Sequence, residues 1–295
     1  MSLRRLAPTV GFVCLLAVGI APAQTIDSTA TGRATFADNL SRSTGATEQK
    51  DGMVYDGSAS AQWHRQVARN LTFAADGTVG GEWVPKFGGL DNFQFGGQLA
   101  LTYKFGLGPL APVLRVDANA TRYDFREDGR SGWETTVNAT LSKRLTETWR
   151  VSLTGQWLDY AAQSHPFDVR NHRFGIDTSW DITEVWRFSA GYNRLSGQLT
   201  ANADGDAWED WENGGLGPRV ADYYNSVPSA PSTAFGNDWI AYRIDCDADI
   251  WWLELSFAVG ANTSIPLRYE SVHVVNQVDI SYDSQFWSLS IVHRF

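Results

Sequence analysis

The sequence predicts an all-β protein, a transmembrane antiparallel β-barrel of about 12 strands. Polar and apolar residues alternate at a period of two, and the links between the alternating segments themselves alternate in length. Beyond residue 23, no run of about 18 residues is apolar and free of charge, which excludes a bundle of transmembrane helices. The 295 residues are 43% hydrophobic with a mean hydropathy of -0.27, as expected for strands with a single apolar face.

The start of the chain has the three parts of an export signal. Two arginines open it, an apolar core follows over residues 6–20, and Ala-Pro-Ala over 21–23 supplies the small residues of a cleavage site. We therefore predict a Sec-type signal peptide over residues 1–23 and a barrel domain over residues 24–295.

The mature domain is acidic. Arg4 and Arg5 belong to the signal segment, so 22 of the 24 basic residues remain against 33 acidic ones, a net charge of -11. Nucleic-acid binding rests largely on cationic side chains, and no nucleic-acid partner is expected. Cys246 is the one cysteine after the signal segment, which argues against a disulfide-stapled domain.

Residues 71–83 show the alternation clearly. Their odd positions are Leu, Phe, Ala, Gly, Val, Gly and Trp, whereas their even positions are Thr, Ala, Asp, Thr, Gly and Glu. One face of such a strand suits lipid and the other suits a polar interior. The same rule holds in segments 93–105, 133–145, 149–157, 172–182, 251–259 and 287–295.

The links between segments fall into two sets that alternate along the chain. About 12 strands result, from near residue 32 to Phe295, and an even number places both chain ends beside the short turns. The short links lie near 67–70, 106–112, 145–148, 181–184 and 260–264. The other links, which are mostly longer, lie near 43–54, 85–91, 126–131, 161–169, 200–238 and 276–278.

The last strand carries a recognisable ending. Trp287, Leu289 and Ile291 share one face, and the chain ends on Phe295. This ending resembles the C-terminal assembly signal of Gram-negative outer-membrane β-barrel proteins, and the chain as a whole is porin-like. The resemblance implies an outer-membrane location with both termini periplasmic. It also implies the barrel assembly machinery, periplasmic chaperones, outer-membrane lipid and lipopolysaccharide as partners, and it leaves the oligomeric state open.

Charged side chains on the polar face suggest that the barrel conducts solutes. Rings of charge select solutes in pores, which favours an outer-membrane channel for small polar solutes. The charges can instead pair and close the interior, and about 12 strands lies between filled and open barrels. The candidate selectivity residues are Arg115, Arg144, Arg150, Arg173, Asp177, Arg187, Glu254, Arg268 and Glu270.

The link 200–238 is acidic and rich in aromatic residues. Asp204 and Asp206 are spaced like the start of a calcium loop, which makes them weak candidate metal ligands. Its aromatic rings beside carboxylates suit stacking on sugars. A folded-in or solvated surface loop is the simpler interpretation.

Three more aspartates belong to strand 239–259. Asp245, Asp247 and Asp249 share the outward face of Trp251, so they are expected at the level of the lipopolysaccharide headgroups. Divalent cations that bridge them to lipid phosphates are one interpretation. Extension of the strand beyond the membrane explains the same residues without an ion, and no other cofactor is expected.

One outward patch contains the residue types of a hydrolase active site, namely serine, histidine and aspartate. Ser271 and His273 share a face, and hairpin pairing can bring Asp283 opposite either of them. Outer-membrane phospholipases and lipid A deacylases are similar in placing Ser and His outward, but with His first. An interfacial polar patch is the simpler interpretation. A non-conducting accessory barrel in envelope or surface-polysaccharide biogenesis needs no site and stays open as an alternative.

Overall fold

The computed structural model describes residues 25–45 and 48–295, so the predicted signal peptide lies outside the described residues. Alternation produces thirteen strands, of which twelve form the barrel and one, β10, lies in a loop. They are β1 Thr25–Ala37, β2 Gly52–Ala68, β3 Leu71–Trp83, β4 Asn92–Lys104, β5 Val113–Phe125, β6 Gly132–Arg144, β7 Trp149–Ala162, β8 Val169–Asp181, β9 Trp186–Asp204, β10 Ser229–Ser232, β11 Trp239–Val259, β12 Thr263–Asn276 and β13 Ser281–Arg294.

Pairing between the first and last strands closes the barrel. Every neighbouring pair is antiparallel, and β13 pairs with β1 from Thr29 opposite Arg294 to Ala37 opposite Phe286. Strand β11 follows β9 directly in the wall, because residues 205–238 form a loop. The predicted antiparallel barrel of about 12 strands is therefore confirmed.

Two predicted boundaries were wrong. Strand β1 begins at Thr25 and not near residue 32, because its outward positions include Ser28, Ala30 and Gly32, which give no apolar alternation. Residues 200–204 belong to β9 and not to the following loop, since Thr200 pairs with Arg243 and Asp204 pairs with Trp239.

The outward face carries an apolar band between two aromatic girdles. In one girdle the rings of Trp251 and Tyr269 lie 5.1 Å apart, and those of Tyr269 and Trp287 lie 4.5 Å apart. In the other girdle, the ring centres of Trp186 and Phe257 lie 4.8 Å apart. Leu and Ile side chains exposed between the girdles form the surface that a transmembrane barrel presents to lipid.

Short turns collect at one end of the barrel and longer loops at the other. The short-turn end has the links 69–70, 105–112, 145–148, 182–185 and 260–262, and the long-loop end has 38–51, 84–91, 126–131, 163–168, 205–238 and 277–280. The backbone N–H of Phe295 donates to the carbonyl of Ser28 at 3.0 Å, so both ends of the described chain lie at the short-turn end.

Two helices lie in the loop between β9 and β11. Helix α1 spans Gly205–Glu212 and α2 spans Pro218–Tyr224. Asp204 caps α1, since its carboxylate accepts a hydrogen bond from the Asp206 backbone at 3.2 Å. Over residues 25–45 and 48–295, no helix has the length and apolar character needed to cross a membrane.

The two faces of β13 predict opposite responses to a buried charge. Ile291 is outward and 53% exposed, whereas Ser290 is inward, opposite Arg33. Ile291→Arg is expected to cost about 2–4 kcal/mol of folding free energy in lipid, and Ser290→Arg much less. Urea titrations of protein refolded into lipid vesicles measure both. Equal losses would contradict the assignment of the faces.

Candidate solute pathway

All nine predicted selectivity residues occupy inward positions of their strands. Alternation puts them on the face opposite the exposed apolar residues, for example Arg150 between Trp149 and Val151. They do not form one ring, since the register places them at different heights along the lumen. Their role in selectivity stays a prediction.

One group of these residues gathers in the lumen on β8, β11 and β12. Arg268 donates to the Glu270 carboxylate at 2.6 Å, and its guanidinium carbon lies 4.2 Å from the centre of the Trp252 ring. Glu254 is the register partner of Arg268. The buried Nε of Arg173 has no hydrogen-bond partner among the described residues. The stacked guanidinium of Arg268 makes this group suitable for contact with a passing polar solute.

Gly191 explains how Trp252 fits into the wall. Trp252 pairs with Gly191 across β9 and β11, and a Cβ at Gly191 would lie 2.6 Å from the indole ring. The absence of a side chain on β9 lets the ring lie against that strand. Trp252 is not among the site residues predicted from the sequence. The signal was present, since an even position of β11 is inward and an inward tryptophan is unusual beside charged residues.

Arg115 belongs to a separate network on β4, β5 and β6. Its Nε donates to Asp117 at 3.0 Å, and its terminal nitrogen donates to Gln98 at 3.1 Å. Gln98 and Asn138 both donate to the other Asp117 oxygen, at 2.9 and 2.8 Å. The positive charge of Arg115 is therefore balanced locally, as the alternative of paired charges predicted.

The short-turn end of the lumen is rich in cations. Arg144 and Arg150 are register partners, and Arg144 donates to the Glu147 carbonyl at 2.8 Å. Lys104 lies at the same end of β4, and Arg187 is paired with Asp181 at 2.5 Å. This mouth carries more positive than negative side chains on the inward face, so it attracts anions.

A segment crosses the opposite mouth. Residues 229–239, which we call the strap, start from the wall at β11 and reach the link between β3 and β4. Five strands of the wall separate these two places in one direction and six in the other, so the strap crosses the barrel mouth from one side to the opposite side. The rings of Phe235 and Phe87 lie 5.0 Å apart, and a Cβ at Gly89 would lie 2.8 Å from Cα of Ala234.

Arg130 fixes the strap to the link between β5 and β6. Its side chain is 12% exposed, pairs with Glu127, and donates to Asn202 at 3.0 Å and Ser232 at 3.3 Å. Burial lowers the pKa of the Arg130 guanidinium, and the Glu127 carboxylate opposes that shift. Glu127 also accepts from the Thr233 backbone at 2.7 Å. Because both charges are buried and paired, removal of one leaves the other unsatisfied.

Helices α1 and α2 fold inward beside the strap. Trp208, Trp211 and Tyr224 pack with Tyr242 of β11 in a buried aromatic cluster. These rings are therefore unavailable for stacking on sugars, and the folded-in interpretation of this loop is correct. Burial also raises the pKa of the Tyr223 hydroxyl to about 12, which keeps that side chain neutral at physiological pH.

The candidate metal ligands are engaged in other ways. Asp204 caps α1, Asp249 accepts from Arg194 at 2.7 Å, and Asp247 pairs with the same arginine at 3.0 Å. Asp245 and Asp206 lie in intermediate and exposed positions. Within the described part of the chain, no group of three or more His, Cys, Asp and Glu side chains is arranged to hold a metal ion.

The outward patch of the hydrolase alternative is partly assembled. His273 is opposite Asp283, with Nδ1 2.8 Å from the carboxylate, as hairpin pairing predicted. Ser271 is opposite Gln285, and no hydrogen bond joins it to His273. Asp249 is the other register partner of His273, so the histidine lies between two carboxylates. These charged side chains lie on the long-loop side of the aromatic girdle that contains Trp251.

Comparison with known proteins gives a likeness in fold. No protein-family model and no curated protein sequence matches the chain. An outer membrane channel of Pseudomonas putida superposes with a TM-score of 0.54 at 12% identity, over 94% of this chain and 97% of that chain. The NanC porin gives 0.46 at 9% identity, over 90% and 98%. Outer membrane phospholipase A from Escherichia coli gives 0.45 at 9% identity, over 90% and 95%. The first likeness establishes a shared barrel fold.

The contacts of Arg130 predict how the strap responds to substitution. Arg130→Met leaves the Glu127 carboxylate buried without its cation, which typically costs about 3–5 kcal/mol. We expect backbone amides of the strap to exchange with deuterium at least about tenfold faster, with the barrel strands unchanged. Arg219→Met, at an exposed arginine of the same loop, is the control. Unchanged strap exchange in the Arg130 variant would contradict this anchoring role.

Proposed function

We propose that this protein is an outer-membrane channel for small polar solutes. The observation that carries the proposal is the division of one closed wall into an apolar outward band and an inward face of charges, amides and hydroxyls. A sheet with these two faces suits lipid outside and an aqueous path inside. The fold shared with an outer membrane channel supports the same function.

The proposed orientation has the short-turn end in the periplasm. The C-terminal strand supports it, since Trp287, Leu289, Ile291 and Phe295 are all outward and exposed, where assembly machinery can contact them. Export by a Sec-type signal peptide in a Gram-negative cell completes the proposal. Lipid and lipopolysaccharide then surround the girdles, and the barrel assembly machinery and periplasmic chaperones are the proposed partners in biogenesis.

In this orientation the strap is an extracellular constriction. Solutes pass beside it and then reach a lumen that becomes more positive toward the periplasm. Asp204, Asp206 and Glu209 add negative charge at the extracellular side. The two mouths therefore have opposite charge, which favours anions at the periplasmic end only.

The contact of His273 with Asp283 supports one second candidate, a lipid hydrolase with Ser271 as nucleophile. That function predicts lipid cleavage by the folded barrel, and loss of cleavage in Ser271→Ala with His273 and Asp283 intact. A channel predicts solute flux that Ser271→Ala leaves unchanged. An accessory barrel predicts neither flux nor cleavage.

Removal of the strap tests the proposed pathway. Asp204 and Trp239 are register partners, so a two-residue Asn-Gly turn in place of residues 205–238 continues the β9–β11 hairpin. In liposome swelling, we expect the intact protein to admit small sugars and the shortened protein to admit larger ones at a faster rate. Arg219→Met should swell liposomes as the intact protein does. If the shortened protein folds and admits no solute, the channel proposal is wrong.

The basic periplasmic mouth predicts a change in ion selectivity. Lys104, Arg144 and Arg150 replaced together by Gln should shift the reversal potential in a KCl gradient toward cation selectivity, because three inward positive charges are lost. Lys143, which alternation places outward beside Arg144, gives the control Lys143→Gln. A reversal potential that does not move in the triple variant would remove these residues from the pathway.

A further inference from the structure

We propose that the inward wall of β2–β5 is a binding subsite for a neutral, polyhydroxylated solute such as an oligosaccharide. This inference rests on the proposed channel function and specifies its solute. A cavity of about 300 Å³ opens on this wall below the strap. Its polar lining consists of hydroxyl and amide side chains with one carboxylate, namely Ser58, Asp76, Thr78, Gln94, Gln98, Asn119 and Thr121.

Two inward glycines let polar side chains of the recess lie close to the backbone of β3 and β4. Gly80 pairs with Ser58, and Gly96 pairs with Thr78, so each faces the lumen where a side chain would otherwise stand. A Cβ at Gly96 would lie 2.5 Å from the Thr121 hydroxyl. A Cβ at Gly80 would lie 3.0 Å from that of Ser58 and 3.2 Å from the Gln94 amide. The space beside these glycines is therefore taken by Ser58, Gln94 and Thr121, whose polar groups line the recess.

Several polar groups of this wall are open to a ligand. The side chains of Ser58 and Gln94 make no hydrogen bond to any described residue, and neither do those of Ser60 and Gln62 below them. An amide both donates and accepts, and so does a hydroxyl, which matches the hydroxyl groups of a sugar. Binding pockets of this size commonly contain a few polar groups that orient the bound molecule, and the unpaired amides of this recess can serve as such groups.

The charge of the wall favours a neutral solute over an anion. Asp76 is the one charged residue that lines the cavity, and one of its oxygens accepts from Thr78 at 2.9 Å. The nearby Arg115 is neutralised by Asp117. Toward the strap, Asp56 and Glu82 face the lumen as register partners, with Arg33 3.5 Å from Asp56. An anionic solute therefore meets net negative charge along this wall.

The recess continues toward the periplasmic mouth. A second cavity of about 380 Å³ shares Asp76 and reaches Asp27 and Arg294 by way of Thr29, Ser60 and Gln62. Hydroxyls and amides thus extend from the recess to the end of the barrel. Successive weak contacts of this kind let a solute bind and still move on.

Three trisaccharides of similar size and different charge test the subsite. Maltotriose is neutral, triglucosamine is cationic and trigalacturonate is anionic. Saturation-transfer NMR on the refolded mature protein in detergent is expected to show binding of maltotriose in preference to trigalacturonate, and binding of triglucosamine no tighter than that of maltotriose, because uncharged hydroxyls and amides supply most of the lining. Tighter binding of triglucosamine would make the wall a cation site, and tighter binding of trigalacturonate would make it an anion site. Either result would overturn the proposal.

Matched glutamine variants locate the binding. Gln94→Leu removes hydrogen-bonding groups that have no protein partner, so the fold should stay intact, and the affinity for maltotriose should fall about fivefold. Gln156→Leu, at an inward glutamine of β7 outside the cavity, should change it less than twofold. Equal effects of the two variants would overturn the subsite.

The same preparation separates this inference from the proposed function. A barrel that conducts ions and does not bind maltotriose would overturn the subsite and leave the channel. A barrel that binds maltotriose and carries no current would overturn the channel and leave a sugar-binding barrel.

Discussion

The pairing of β13 with β1 is the interaction on which the rest of the molecule depends. In lipid, an open sheet edge would leave a row of unpaired backbone N–H and C=O groups, each costing several kcal/mol. Nine register pairs, from Thr29 with Arg294 to Ala37 with Phe286, join these edges. Closure then gives the wall an inside and an outside, so that one strict alternation of residues produces both the apolar band and the polar lumen.

The strap adds asymmetry to this simple cylinder. Its contacts come from the links after β1, β3 and β5, and they include a buried ion pair and aromatic packing, whereas the barrel wall uses backbone hydrogen bonds. The mouth at the long-loop end is thus narrowed by side-chain contacts that one substitution can weaken. Below the strap the lumen has a recess of hydroxyl and amide groups on β2–β5 and a group of Arg268, Glu270 and Trp252 on the other side.

Local pattern was enough for most of the fold. Segment 71–83 coincides with β3, and the short link after β12 predicted Asp283 opposite either Ser271 or His273, of which the structure has His273. Strand β1 was misplaced because its outward Ser, Ala and Gly hide the period. The contacts of Arg130 with the strap could not be predicted, because they depend on which loop crosses the barrel. The fit of Trp252 against Gly191 could not be predicted either, because it depends on β9 being the wall neighbour of β11.

Single-channel recording of the intact mature protein in a planar lipid bilayer tests the central claim most directly. An aqueous lumen narrowed by the strap predicts stable, discrete current steps that become larger when Arg130→Met loosens the strap. A protein shown to be folded in the same membrane, but without current in either form, would contradict the account.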